Sequence, residues 1–178
     1  DKDVDNKKFF KINSPQITRK FKIGKKRKNF ACIISSNKNL NIRSKNSGYA
    51  KRAKIIKWFL KNHPSKLDIY GKDWDKYFFS NYYLNRIMLY LQKKIEFRKK
   101  DIDSAIKGTI KSKREILKHY KFSICYENYL NEEGYFTGII FDSLNSGCVP
   151  VFCGSRNIKK YIPQDCFIDG NKFLNISS

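Results

Sequence analysis

Residues 120–154, YKFSICYENYLNEEGYFTGIIFDSLNSGCVPVFCG, constrain this chain most. An apolar run, a polar loop, a helical stretch and a second apolar run follow one another. Unbroken apolar runs suit strands buried on both faces, and two such strands joined through a helix run parallel. The pattern predicts a strand at KFSICY and a buried strand at CVPVFCG. Between them it predicts a helix over Thr137–Ser146, with Ile140, Phe141 and Leu144 facing inward. The expected class is α/β, a Rossmann-like parallel sheet with flanking helices. In such sheets crossovers are right-handed and ligands bind beyond the carboxyl ends of the strands.

The same alternation runs upstream. FACIISS (30–36) reads as a strand. Tyr49–Asn62 reads as a helix with Ala53, Ile56, Phe59 and Leu60 on one face, stopped by His63-Pro64. KLDIYG (66–71) is a second strand, Tyr83–Phe97 a helical stretch and Lys111–Tyr120 a basic helix. Asn157–Tyr161 is a helical turn, and FID (167–169) a last strand. Residues 1–29 are polar and end in Lys25-Lys26-Arg27-Lys28, which reads as a solvated tail or linker before a domain over residues 30–175.

Charge narrows the partners. The 178 residues carry 38 Lys+Arg against 16 Asp+Glu, a net +22, which draws polyanions: nucleic acid, anionic membrane or phosphorylated small molecules. Lys51, Arg52, Lys54, Lys57 and Lys61 share one predicted helix. No RRM, KH or zinc-finger signature accompanies them, so a basic nucleic-acid binder is the distant alternative. The five cysteines, Cys32, Cys125, Cys148, Cys153 and Cys166, mostly lie in apolar runs, as buried thiols in a reducing compartment do. No apolar run reaches the roughly 20 residues of a membrane span. The opening DKDVDNKKFFKIN is polar, unlike a signal peptide. The expected place is the cytoplasm, with peripheral contact to anionic membrane through charge, or the Golgi for a truncated eukaryotic enzyme. Asp-x-Asp occurs at Asp1/Asp3, Asp3/Asp5, Asp73/Asp75 and Asp101/Asp103, none following a convincing strand in the right way, so no metal is assigned. Gly-x-Gly-x-x-Gly, Walker and Gly-x-Ser-x-Gly motifs are absent.

Tyr120-Lys121-Phe122, Glu127-Asn128, Tyr135-Phe136-Thr137, Phe141-Asp142 and Ser146-Gly147-Cys148-Val149-Pro150-Val151 occur in that order. Gly154, Asn157-Ile158, Tyr161-Ile162-Pro163 and Cys166-Phe167-Ile168-Asp169 follow, and Ser36-Asn37 with Lys51-Arg52 precede. Jointly these motifs resemble the donor-binding block of the family 10 glycosyltransferases, the α1,3/4-fucosyltransferases, over roughly residues 28–175. The resemblance implies the C-terminal half of a GT-B glycosyltransferase. It implies GDP-fucose as donor, a glycan acceptor, inversion at the sugar and no cofactor or metal. It places Arg52 at the diphosphate, where an arginine fork suits phosphate. Without it, Arg52 reads as one more solvated helix cation. Asn128 and Tyr135 carry over as polar contacts to the nucleotide-sugar, with Lys113, Glu127 and Thr137 as further donor-site candidates. Glu127 reads equally as the cap of a strand end. The 137–146 helix would aim its N-terminus at the phosphates.

One position departs from the pattern. The family's Thr-Glu-Lys is Thr137-Gly138-Ile139 here, so a carboxylate and a cation are missing from the middle of the block. Arg156, Lys159 or Lys160 could replace the cation, the donor could differ, or the site could be a degenerate sugar-nucleotide-binding module. Family enzymes draw the acceptor site and general base mainly from an N-terminal domain. Residues 1–29 are too short for one, so the catalytic base is expected outside this chain.

Overall fold

A computed structural model describes residues 27–38, 46–74 and 104–173. The Tyr83–Phe97 stretch lies outside these residues. Six strands form one parallel sheet: β1 (Asn29–Ile34), β2 (Leu67–Tyr70), β3 (Ile106–Gly108), β4 (Tyr120–Tyr126), β5 (Val149–Cys153) and β6 (Ile168–Asp169). Their order is β3-β2-β1-β4-β5-β6, so the winding reverses between β1 and β4. The central register sets Ala31 beside Leu67 on one side and Phe122 on the other, and carries β4 against β5 from Phe122↔Val149 to Tyr126↔Cys153.

Among the described residues the α-helices are α1 (Gly48–Asn62), α2 (Lys113–Leu117) and α3 (Gly138–Asn145). α1 lays Ile56, flanked by Ile55, Phe59 and Leu60, on Ala31, Ile33, Leu67 and Ile69. α3 lays Ile140 on Cys125 and Phe152, together with Ile158 and Phe167. Leu117 of α2 joins Cys32, Tyr120 and Cys148. Crossovers of one hand, stepping in opposite directions from the reversal, put α1 and α3 on opposite faces.

Local chemistry explains the ends. Gly147, at φ 63°, takes the left-handed turn that stops α3, its N–H bonding to the Leu144 carbonyl. Ser112 accepts from the Glu115 N–H at 3.4 Å and starts α2, making it a short helix rather than the full Lys111–Tyr120 span expected. Pro150 sits inside β5, but β6 pairs only with Val151 and Phe152, so its missing N–H costs the sheet little. β3, three residues at the edge, has too little apolar pattern to be foreseen.

The basic end of the expected tail belongs to the fold. Asn29 opens β1, and Arg27 donates to the carbonyls of Leu117 (3.0 Å), Tyr120 (2.9 Å) and Ser146 (2.9 Å). These acceptors close α2, open β4 and cap α3. Four cysteines are buried and Cys166 is exposed. Burial pushes Cys125 up to about 11 and Cys148 up to about 12, keeping both thiols protonated. No helix of the described residues is long and apolar enough to cross a membrane.

Candidate functional site

The winding reverses between β1 and β4, and open α/β sheets take ligands beyond the carboxyl ends of the strands at such a reversal. The segment before α1 is stitched to the segment after β4. Ser47 bridges Tyr129 antiparallel, the Gly48 N–H donates to the Asn128 carbonyl at 2.9 Å, and the Leu130 N–H donates to Asn46 at 2.8 Å. Gly48 is required by this approach, because a Cβ there would lie 1.8 Å from the Glu127 carbonyl oxygen. The stitch sets Arg52, one turn into α1, beside Asn128.

Arg52 is 4% exposed. Its Nη2 donates to Asn128 Oδ1 at 3.1 Å, its guanidinium carbon lies 5.1 Å from the Tyr49 ring centroid, and its buried Nε has no hydrogen-bond partner. Burial lowers its pKa, opposed by Tyr49, Glu127 and Tyr126. Glu127 is 2% exposed, and its Oε1 accepts from the Thr137 N–H at 2.7 Å and the Thr137 hydroxyl at 3.0 Å. Burial raises the Glu127 carboxyl above its ordinary value, opposed by both Thr137 bonds and by Arg52. Thr137 therefore spends its hydroxyl on Glu127 and makes no side-chain cap to α3. The N-terminus of α3, carrying the positive end of its dipole, is thus held to the buried Glu127 carboxyl through Thr137.

Tyr135 completes this wall. It packs edge-on against Tyr129 at 5.8 Å between ring centroids and interacts with the Asn128 side chain. Burial, then Glu127, raises its pKa. The structure thus brings Arg52, Asn128, Tyr135, Glu127 and Thr137 together. Lys113 stands apart from them: on α2, exposed, it pairs with Asp142 of α3 at 2.8 Å. Of the three proposed substitute cations, Arg156 donates through Nε to Asn131 Oδ1 at 3.0 Å, and Asn131 in turn holds Asn46 and the Gly154 carbonyl. Lys159 faces Asp169 at 3.6 Å, and Lys160 is exposed. Gly138 has open space, with nothing within 4 Å of an added Cβ, while Ile139 packs against the α3-side core. Sequence reasoning missed Tyr49 and Gly48. Their signals are the three-residue spacing of Tyr49 to Arg52 and a glycine between Ser47 and a helix. Among the described residues no group of three or more His, Cys, Asp or Glu side chains converges as a metal site.

Strand order and helices define a doubly wound α/β domain with a buried arginine at its winding reversal. Residues 24–178 match the model of glycosyltransferase family 10 (fucosyltransferase), C-terminal part, and the chain belongs to this family. It is 40% identical over 57 residues to an alpha-(1,4)-fucosyltransferase of Arabidopsis thaliana, a match covering 32% of this chain and 14% of that protein. It is 35% identical over 66 residues to the alpha-(1,3)-fucosyltransferase FucT of Helicobacter pylori, covering 37% of this chain and 14% of that protein. A crystal structure of α1,3-fucosyltransferase with GDP-fucose shares its fold at 18% identity and TM-score 0.50, over 83% of this chain and 33% of that one. The chain thus aligns with about a third of the solved structure and a smaller part of these curated relatives.

Proposed function

We propose that this chain is the donor-binding half of a fucosyltransferase. It holds GDP-fucose at the β1/β4 winding reversal while fucose passes, with inversion, to a glycan hydroxyl. Arg52 and the α3 N-terminus hold the diphosphate, and Asn128 and Tyr135 contact the nucleotide-sugar. Glu127 and Thr137 fix the loop between them. The base that deprotonates the acceptor comes from outside these residues. The observation that carries this reading is Arg52, 4% exposed with an unpartnered Nε at the winding reversal. A cation so desolvated gains most from an anionic acceptor, and departure of GDP requires that charge to be held. The relatives' printed names supply the sugar and the reaction.

Calorimetric titration of the chain with GDP-fucose is expected to give roughly micromolar-to-millimolar binding, much weakened in Arg52→Ala. Absence of heat with every GDP- and UDP-sugar would overturn the reading. A second reading, a degenerate binding module, is favoured by one observation. Gly138 offers no side chain, and Ile139 is packed into the core where the family carries a cation.

A further inference from the structure

Tyr49 has no place in the family motif quoted above, yet it touches the group on which the site depends. It lies three residues before Arg52, and residues so spaced share a helix face. Its ring sits 5.1 Å from the guanidinium carbon, inside the range in which an aromatic quadrupole attracts a cation.

A buried cation needs compensation. A carboxylate supplies it at a cost to function, because it occupies the N–H donors and neutralises the charge. The structure avoids that partner. Glu127, the carboxylate whose field reaches Arg52, directs Oε1 at Thr137 through two hydrogen bonds. The hydrogen bond Arg52 makes goes to the neutral amide oxygen of Asn128, and its Nε–H is unpartnered. An aromatic face attracts the guanidinium without accepting from any in-plane N–H, so the cation keeps its full charge and its spare donor. The backbone fixes this arrangement, since Gly48, adjoining Tyr49, is clamped between the Asn128 and Glu127 carbonyls.

We propose that Tyr49 is a positioning residue. Its ring carries the buried Arg52 guanidinium on one face, leaving the arginine's edge donors and net charge for the diphosphate of a sugar nucleotide. The inference rests on the donor reading for the identity of the ligand, and on Arg52 geometry alone for the anion. The test is titration with two probes, GDP-fucose and inorganic pyrophosphate, using Tyr49→Phe, Tyr49→Leu, Arg52→Ala and the Tyr49→Leu/Arg52→Ala pair, with thermal melts of each. The expected result is roughly tenfold weaker binding in Tyr49→Leu with near-native affinity in Tyr49→Phe and near-native melting in both. Tyr49→Leu should add no further loss once Arg52 is alanine. Equal affinity of Tyr49→Leu and wild type, with Arg52→Ala still impaired, would overturn the role of Tyr49 and leave the donor reading intact. An equal loss in Tyr49→Leu with and without Arg52 would also overturn it. Binding of pyrophosphate but not GDP-fucose, still sensitive to Tyr49→Leu, would uphold Tyr49 and defeat the donor reading. No binding of either probe by the wild type would defeat both.

Discussion

Glu127 is a buried acid whose surroundings oppose its charge. Its carboxyl titrates above the ordinary value of about 4.5 because it is buried, although Thr137 and Arg52 oppose that rise. The folded state therefore holds the proton to higher pH than the unfolded chain. Stability associated with this group is full below 4.5 and falls as pH rises through the raised value. Glu127→Gln keeps an oxygen for Thr137 and removes the titration. Its melting temperature relative to wild type is expected to climb with pH above 4.5; a difference constant between acid and neutral pH would refute the assignment. Gly48 supplies a second residue-scale prediction. A Cβ there meets the Glu127 carbonyl oxygen at 1.8 Å, and backbone on both sides leaves little room to yield. Gly48→Ala is expected to cost about 1–3 kcal/mol in urea unfolding and to weaken donor binding by displacing Asn128. An unaltered urea midpoint would show that the stitch yields freely. The motif Glu127-Asn128 was legible in the sequence as a pair. That Asn128 serves Arg52 while Glu127 serves Thr137 was not, because both partners are distant along the chain.

At the scale of the element, α3 carries the unresolved chemistry of the site. Its existence and inward face were legible, since Ile140, Phe141 and Leu144 recur at helical spacing and all pack inward. Its first turn is unusual: no acidic residue, no side-chain cap, and Gly138 and Ile139 where the family has Glu-Lys. The structure makes these two positions unequal. Gly138 faces open space, whereas Ile139 contributes to the core. Gly138→Glu is expected to stabilise α3 by up to about 1 kcal/mol, by removing a helical glycine and placing an acid in the first turn. Ile139→Lys is expected to cost about 1 kcal/mol in lost apolar contact. Thermal melts of the singles check both signs. The double variant then divides the functional readings: tighter GDP-fucose binding marks a degenerate site, and unchanged affinity marks a local substitute such as Arg156. By contrast, α2 was overextended in the sequence, because a run of Lys and Arg is compatible with helix without requiring it. The Ser112-x-x-Glu115 cap sets its true start.

Across the whole molecule, the sheet is wound outward from β1 and β4, and both ends of that arrangement are secured. At the carboxyl ends the α1–β4 stitch builds the site. At the opposite ends Arg27 gathers three carbonyls from α2, β4 and α3. Arg27→Ala is expected to lower stability by about 2–3 kcal/mol without altering the wild-type affinity for GDP-fucose. A stability change within error in urea unfolding would show those bonds to be dispensable. Among the described residues, a cavity of about 250 Å³ opens on one sheet face among Phe30, Ile55, Phe122, Val151, Ile168 and Phe173. This follows from the winding, since helices crossing in opposite directions cover opposite halves of a sheet. The sequence by itself determined the α/β class, the buried strands, the main helices and the family, because these follow from local periodicity and from motifs read in order. The tertiary structure decided which charges meet. Burial of Arg52 against Asn128 and the capture of Glu127 by Thr137 depend on contacts between residues 76 and 10 positions apart, where no local pattern specifies the partner.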